Sequence, residues 1–213
     1  MKLAKNSMLL YAVTDRTWLG KRKLIEQVDD CLKGGATFIQ LREKELDYKA
    51  FLAEPKEIKT LCHRYNVLFV INDNVDIAAA CDADGVHVGQ SDMKINEVRA
   101  RLGGNKIIGI SAVTVEQAII AEQNGADYLG VGAVFSTSTK LDADTVSHIT
   151  LNAICNAVSI PVVAIGGITS HNILELKGTN IDGVAVISAI FARPDIKAAT
   201  EELLMLSKEV VPV

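Results

Sequence analysis

Basic and polar side chains alternate in the segment QLREK (residues 40–44), directly behind an apolar run. Side chains point the same way at every second residue of an extended chain, so Gln40, Arg42 and Lys44 share one face if the strand geometry continues. Two long cations and an amide on one face suit a diphosphate, because arginine can bind two phosphate oxygens at once. A strand end that reaches solvent, with the neighbouring glutamates pairing locally, would give the same pattern. The segment alone leaves both interpretations open.

Two carboxylates follow neighbouring apolar runs, Asp73 after LFVI (68–71) and Asp92 after GVHV (85–88). A carboxylate pair without histidine or thiolate companions suits Mg²⁺, which takes few protein oxygens and completes its shell with substrate phosphate and water. Each aspartate also stands just before a helix-like segment, where it is suited to cap a helix N terminus. Their position on neighbouring strands favours the metal site.

Eight short apolar runs alternate with longer amphipathic segments. The runs cover residues 8–13, 37–41, 68–71, 85–88, 106–111, 128–132, 161–166 and 182–187. The helix-like segments include residues 21–33, 48–65, 114–124 and 170–177. Most runs are apolar throughout, as in parallel strands covered on both faces. The pattern predicts an α/β fold, a single (β/α)8 TIM barrel domain over residues 1–213, rather than a doubly wound sheet, because no GxGxxG follows the first run.

Such a barrel places its reactive groups after the strands, and the last two runs end in a way that indicates a phosphate site. AIGGI (164–168) places Gly166-Gly167 before a helix start, and VIS (186–188) ends the next run. Glycine lets an anion approach the backbone closely, and N–H groups at a helix start bind phosphate. A tight turn is the alternative. Gly-Ala and Asp-Gly pairs before other runs are interpreted as turns without function.

The longest irregular stretch covers about residues 132–147 and contains FSTSTK (135–140). Long loops after barrel strands are often lids or binding loops. Thr137, Thr139 and Lys140 would bring hydroxyl donors and a cation to the site, and a surface loop without function is the alternative.

The histidines and cysteines do not indicate a catalytic role. His63, His87, His148 and His171 show no ligand spacing, and His87 lies inside a predicted strand, so none is predicted to be catalytic. The four cysteines have no CxxC spacing and are interpreted as small buried apolar residues.

The overall charge and hydropathy of the chain limit the kinds of partner that it is expected to bind. The 213 residues carry a net charge of −4 with a pI near 5.6, which gives no general electrostatic reason to bind nucleic acid or an anionic membrane. Any anion binding must therefore be local. No apolar stretch approaches the length of a membrane span and the first residues lack a signal-peptide pattern, which predicts a cytoplasmic protein. Association into a homo-oligomer is left open.

Taken together, the motifs resemble the thiamine-phosphate synthase family. The matching segments follow the family order: QLREK (40–44), IND (71–73), DGVHVGQSD (84–92), TSTK (137–140), AIGGI (164–168) and VIS (186–188). QLREK together with DGVHVGQSD is fairly specific, whereas AIGGI is common among phosphate-binding barrels. The resemblance implies a Mg²⁺-assisted transferase that joins two small-molecule substrates, a pyrimidine methyl diphosphate and a thiazole phosphate, and releases diphosphate. It also implies a dissociative mechanism, in which the aminopyrimidine stabilises a methylene cation and no protein nucleophile is needed.

The resemblance implies a role for each site residue. The pyrimidine diphosphate would be held by Gln40, Arg42, Lys44, Asn72, Ser111 and Lys140. The thiazole phosphate would be held by Thr137, Thr139, Gly167, Ile187 and Ser188. Leu41, Glu43 and Ser138 are included among the substrate-binding positions. Asp73 and Asp92 would bind Mg²⁺, and the residues expected to be catalytic are Arg42, Lys44, Ser111 and Lys140.

The long loop departs from the family pattern GPIFPTxTK, because Ala133 and Ser136 stand where prolines are usual. Loss of two rigid residues is expected to loosen the loop or to mark a relative with an altered function. One alternative is a thiazole tautomerase on the same scaffold, which would use a histidine near this loop. The other is a non-catalytic barrel that binds a thiamine precursor, which would not need Asp73 and Asp92. Retention of the diphosphate-binding set favours the synthase.

Overall fold

The computed structural model describes residues 3–43, 52–90, 92–136 and 145–211, and the eight strands in these ranges close into a parallel barrel. The strands are β1 Leu10–Val13, β2 Phe38–Leu41, β3 Leu68–Asn72, β4 Gly85–Val88, β5 Ile107–Ala112, β6 Tyr128–Val131, β7 Val162–Ile165 and β8 Gly183–Val186. They pair in chain order, and β8 returns to β1. The predicted (β/α)8 barrel is confirmed, with each strand end within two residues of its predicted position.

Helices surround the barrel. They are α1 Leu24–Lys33, α2 Ala53–Arg64, α3 Val75–Ala80, α4 Ile95–Leu102, α5 Val115–Gln123, α6 His148–Ala157, α7 Ser188–Phe191 and α8 Ile196–Val210. Short 3₁₀ helices cover Lys5–Met8, Arg16–Trp18 and Ile173–Leu176. Within the described ranges, no helix combines the length and apolar character needed to cross a membrane.

Segment 170–177 was expected to be a full helix but forms only the short 3₁₀ helix Ile173–Leu176. The side chain of Asn172 holds a turn in front of it. Its Oδ1 accepts the N–H of Thr169 at 2.7 Å, and its Nδ2 donates to the carbonyl of Gly167 at 2.9 Å. Asparagine favours such local bonds over a helix interior, so the turn uses residues that the apolar pattern assigned to the helix.

The side chains of each strand alternate between the barrel interior and the surrounding helices. The interior cluster includes Tyr11, Phe38, Val70, Tyr128, Val163 and Ala185. The cluster under the helices includes Ala12, Ile39, Leu41, Ile71, Val86 and Leu129. Both faces are apolar, which explains why the strands read as continuous apolar runs. A polar residue at an interior position of a strand is therefore an exception to the general pattern.

A repeated pair of hydrogen bonds, here called the strand clamp, joins the strands two by two at their N-terminal ends. The residue before each even-numbered strand donates its N–H to the carbonyl of one residue in the preceding strand. Its side chain in turn accepts the N–H of that strand residue. The clamped pairs are Thr37 with Leu10, Asp84 with Phe69, Asp127 with Ile108, and Asp182 with Val162, at 2.7–2.9 Å. The three aspartates also contact the basic side chains of His63, Arg99 and Lys5.

We expect Asp127→Ala to lower the free energy of unfolding by about 1–3 kcal/mol, because the buried N–H of Ile108 loses its acceptor and Arg99 loses its partner. The carboxylate is partly exposed, which limits the ion-pair part of the loss. Urea denaturation measures the difference. Asp76→Ala removes an exposed pair with Arg101 and is the control, with an expected loss below about 0.5 kcal/mol. Equal losses in the two variants would contradict a stabilising clamp.

Candidate active site

A cavity of about 590 Å³ lies where the strands end. Parallel strands of a closed barrel all present their carboxyl ends at one rim, so residues far apart in sequence meet there. The predicted site residues that line the cavity are Gln40, Arg42, Asn72, Asp73, Asp92, Ser111 and Ile187. Lys44 and residues 137–140, which contain Thr137, Ser138, Thr139 and Lys140, lie outside the described residues.

Arg42 is the basic residue of QLREK that falls within the described ranges, and it directly follows β2. Its N–H donates to Thr14 Oγ1 at 3.1 Å, and its Nη1 is 3.8 Å from Asp15 Oδ2. Both contacts come from the residues that follow β1, so the end of the first strand orients this arginine. Burial and the Asp92 carboxylate raise the pKa of Asp73, and the charge of Arg42 offsets a part of that rise. Arg42, Asp73 and Asp92 line the same cavity, so an anion bound by Arg42 would lie near a metal ion held by the two carboxylates.

Leu41 and Glu43, the odd positions of the segment, do not line the cavity. Leu41 is fully buried in the cluster under the helices. Glu43 accepts from Arg16 Nε at 2.7 Å, and Arg16 also contacts Glu54 at the start of α2. Burial raises the pKa of Glu43 despite this partner. Glu43 is therefore paired outside the cavity, with an arginine that comes from the segment after β1.

The carboxylates of Asp73 and Asp92 lie side by side in the cavity, and neither caps a helix. Asn74 caps α3 by accepting the N–H of Ile77, and Lys94 occupies the cap position of α4. Asp73 instead receives Nδ2 of Asn72 at 2.6 Å, and Asp92 receives the N–H of Gly89 at 2.6 Å. Burial, and next the neighbouring Asp92 carboxylate, raise the pKa of Asp73 to about 6.

These two carboxylates fit the oxygen-rich ligand set of Mg²⁺. Their mutual repulsion, which contributes to the raised pKa of Asp73, is what a divalent cation would relieve. No group of three or more His, Cys, Asp or Glu suited to a metal occurs in the described part of the chain. The protein ligands there would be the pair alone, and substrate phosphate and water would supply the rest.

Five polar side chains from five strands form a hydrogen-bonded chain across the barrel interior, which we call the buried relay: Gln40, Tyr11, Tyr128, His87 and Ser111. Nε2 of Gln40 donates to the Tyr11 hydroxyl, which lies 2.8 Å from the Tyr128 hydroxyl. His87 continues the chain, with Nδ1 3.0 Å from the Tyr128 hydroxyl and Nε2 3.0 Å from Ser111 Oγ. Burial lowers the pKa of His87 to about 4, so the ring is neutral near pH 7, and burial raises the pKa of both tyrosines.

Only the two ends of the buried relay, Gln40 and Ser111, are among the residues predicted from the sequence. Tyr11, His87 and Tyr128 occupy the inward positions of their strands, as Gln40 and Ser111 do. Strand alternation counted from Gln40 through the paired strands would have pointed to them. His87 lines the cavity, although its place within a strand gave no functional signal by itself.

Glycines after β7 let two loops pack against each other at the other side of the rim. Gly166 and Gly167 have φ of 100° and 66°, which side chains other than glycine rarely adopt. A Cβ on Gly167 would meet the carbonyl oxygen of Ser136 at 2.5 Å, and one on Gly166 would meet Cβ of Ala133 at 2.5 Å. The N–H groups of Val134 and Phe135 donate to β7 and to Gly166, at 3.0 and 3.1 Å. The start of the long loop is thus held against the glycine pair.

Ile187 lines the cavity beside this glycine pair, and Ser188 is the first residue of α7. The first N–H groups of a helix have no partner within the helix, so a group bound at the start of α7 would meet them. Gly167 and Ser188 are not themselves among the cavity-lining residues, although Gly166 is. His148, at the start of α6, packs edge-on against Phe135 and does not line the cavity.

We expect Gly167→Ala to destabilise the protein by more than the ~1–2 kcal/mol that a left-handed backbone costs an alanine, because the new Cβ also meets the carbonyl of Ser136. Gly20→Ala is the matched control, since Gly20 has φ of 57° and nothing within 4 Å of a new Cβ. Thermal unfolding compares the two variants. A loss at Gly167 no larger than that at Gly20 would show that the two loops do not depend on this contact.

Comparisons with known proteins point to one family. A family model described as thiamine monophosphate synthase matches residues 10–190. A thiamine-phosphate synthase from Clostridium tetani is 51% identical over 194 residues, covering 91% of this chain and 93% of the relative. One from Ruminiclostridium cellulolyticum is 50% identical over 201 residues, covering 94% and 96%. The solved structure of thiamine phosphate pyrophosphorylase from Pyrococcus furiosus is similar with a TM-score of 0.90 at 42% identity, covering 98% of this chain and 99% of that one.

Proposed function

Because the chain belongs to the thiamine monophosphate synthase family, we propose that it condenses an aminopyrimidine methyl diphosphate with a thiazole phosphate, giving thiamine phosphate and diphosphate. The observation that carries the proposal is that two chemically different sets of residues lie at one rim, one with charged side chains and one with glycines and a helix start. β3, which ends at Asn72, and β7, which precedes Gly166, are four strands apart in the closed barrel of eight and so lie on opposite sides of the cavity. A reaction between two phosphorylated substrates needs such a pair.

The region at β2, β3 and β4 suits the diphosphate. Arg42 offers a guanidinium fork, Asn72 offers amide donors, and Asp73 and Asp92 would hold Mg²⁺ between protein and diphosphate. Lys44 and Lys140, outside the described residues, would add cations from flanking loops. When bound, Mg²⁺ would supply positive charge to the departing diphosphate.

The region at β7 and β8 suits the thiazole phosphate. Here glycine backbone and a helix start offer N–H groups without a metal ion, as in many phosphate-binding barrels. The proposed ligands are Gly167, Ile187 and Ser188, joined by Thr137 and Thr139 from the long loop. A monophosphate held by neutral donors and a diphosphate held by cations would keep the two substrates in their proper places.

The chemistry asked of the side chains is charge stabilisation and positioning. Arg42 would neutralise charge that develops on the diphosphate as its bond to the methylene carbon breaks. Gln40 and Ser111 would hold the aminopyrimidine that carries the cation, while the cavity walls limit access of water to it. The thiazole nitrogen, placed from the β7 side, would then form the new bond, which makes proximity the main contribution of the protein.

Neither alternative gains support from the described geometry. A tautomerase would need a histidine at the cavity near the long loop, and His148 packs on Phe135 instead. A barrel that only binds a precursor would have no use for the paired carboxylates of Asp73 and Asp92. We also propose that residues 1–213 form one domain that acts in the cytoplasm, where membrane-impermeant phosphate esters are made and used.

The proposed reaction is tested by mixing the purified protein with both substrates and following thiamine phosphate by chromatography. We expect product with Mg²⁺ and none after chelation with EDTA, with recovery on adding Mg²⁺ back, because the leaving diphosphate needs its charge neutralised. Absence of product in the presence of Mg²⁺ would sink the synthase proposal. Equal turnover with and without Mg²⁺ would show that the reaction does not need the metal ion.

We expect Asp92→Asn to lower turnover on the order of a hundredfold, because the site loses one of two metal-binding charges while the side chain keeps its shape. Calorimetry should show unchanged binding of the thiazole phosphate, which lies at the other side of the rim. Asp76→Asn, an exposed aspartate on α3, is the control. Equal loss of turnover and of thiazole phosphate binding would mean that the metal assignment is wrong.

A further inference from the structure

The buried relay contains four hydrogen bonds between its two ends. Each bond holds one proton. The three middle side chains, Tyr11, Tyr128 and neutral His87, bring one proton each. One more proton must therefore come from one end, either from the amide of Gln40 or from the hydroxyl of Ser111.

The end that supplies the fourth proton determines what the other end offers to a ligand. If Gln40 donates, every middle proton points toward Ser111, His87 carries its proton on Nε2, and the hydroxyl proton of Ser111 is left for the cavity. If Ser111 donates, every proton points the other way, His87 carries its proton on Nδ1, and the amide oxygen of Gln40 is consumed. Mixed arrangements, in which a relay hydroxyl bonds to water instead, are disfavoured. Tyr11 and Tyr128 are only 2% and 0% exposed, and a buried hydroxyl without a partner is costly.

The fold provides space for the middle of the relay. A Cβ on Gly109 would meet the Tyr128 ring at 2.1 Å, so position 109 on β5 must be glycine for the tyrosine ring to fit. A Cβ on Gly130 would meet Cε1 of His87 at 3.0 Å, which is tighter than an ordinary contact. The two rings are therefore held where glycines leave room between strands, and Nε2 of Gln40 faces the Tyr11 hydroxyl.

From this geometry we infer that Tyr11, Tyr128 and His87 are positioning residues. They transmit the orientation of the Gln40 amide on β2 to the Ser111 hydroxyl on β5, three strands away. As a result, Ser111 presents a proton and Gln40 an amide oxygen to the same ligand. The inference deepens the proposed function, on which its role in catalysis rests: the two ends match a ligand with an amine donor and a ring-nitrogen acceptor, the pattern of an aminopyrimidine. The arrangement of protons itself exists in the ligand-free protein.

The position of the ring proton on His87 tests the relay directly. Two-bond ¹H–¹⁵N correlation spectra of the histidine-labelled, ligand-free protein distinguish Nε2–H from Nδ1–H, and His87→Asn identifies the signals of this ring among the four histidines. We expect the proton on Nε2, with Nδ1 accepting from Tyr128. A proton on Nδ1 in the unmodified protein would overturn the inference.

A pair of isosteric variants at Ser111 tests the coupling. Ser111→Thr keeps the hydroxyl, so the ring proton should stay on Nε2. Ser111→Val puts a methyl in its place and excludes water, so the proton should move to Nδ1, from which it can donate back through the tyrosines to the Gln40 oxygen. Adding Tyr128→Phe to Ser111→Val breaks that path, and the proton should return to Nε2. Ser111→Val compared with Ser111→Thr tests the coupling by itself if the double variant does not fold. A ring proton that does not move in Ser111→Val, or that stays on Nδ1 in the double variant, would overturn the coupling.

The catalytic role has its own readout. We expect Tyr128→Phe to lower kcat/KM for the pyrimidine diphosphate about fivefold, the value of one oriented hydrogen bond, with KM for the thiazole phosphate unchanged. Tyr65→Phe removes an exposed hydroxyl that donates to Asp29 and should change neither. Unchanged kcat/KM in Tyr128→Phe, or an equal loss for both substrates, would overturn the positioning role. If the unmodified protein makes no thiamine phosphate, the proposed function fails while the proton positions remain measurable.

Discussion

The packing of three aromatic rings inside the barrel is the interaction on which the site depends. Tyr11 lies edge-on against Phe38, with centroids 4.7 Å apart, and Tyr128 contacts both, at 5.9 and 5.6 Å. Together with Val70, Val163 and Ala185 these rings fill the interior. Because this part of the barrel is full, the remaining volume becomes a cavity at the rim, and Tyr11 is the one of the three rings that lines it. The same rings thus supply packing energy and place the hydrogen-bonded groups.

The sequence was sufficient for the fold and for bringing the polar residues after several strands to one rim of the barrel. Apolar runs of four to six residues separated by helix-like segments are a strong signal, and each strand lies close to its predicted place. The polar residues that follow the strands converge because a closed parallel barrel leaves them no other arrangement. This is why Arg42, Asn72 and Asp73 could be placed together without any contact information.

The sequence was not sufficient for the partners of those residues. An aspartate before a helix is compatible with a cap or with a free carboxylate, and only the backbone at Asn74 and Lys94 decides between them. Glu43 finds Arg16, which follows a different strand, so the pairing depends on how two loops meet. The middle of the buried relay was missed because tyrosine and histidine inside an apolar strand look like ordinary core residues. Their function depends on hydrogen-bonded neighbours that lie one to five strands away along the chain.

The strand clamp gives the barrel a period that its strand count hides. Side-chain acceptors link β1 to β2, β3 to β4, β5 to β6 and β7 to β8, at the same point of each pair. The chain is therefore organised as four quarter-barrels, each with one doubly bonded junction at its base. The N–H at the base of each odd-numbered strand finds its side-chain acceptor just before the next strand. A quarter-barrel, rather than a single strand with its helix, is therefore the smallest segment that contains both partners of this bond. Chain breaks or permuted termini therefore belong between quarter-barrels rather than within them.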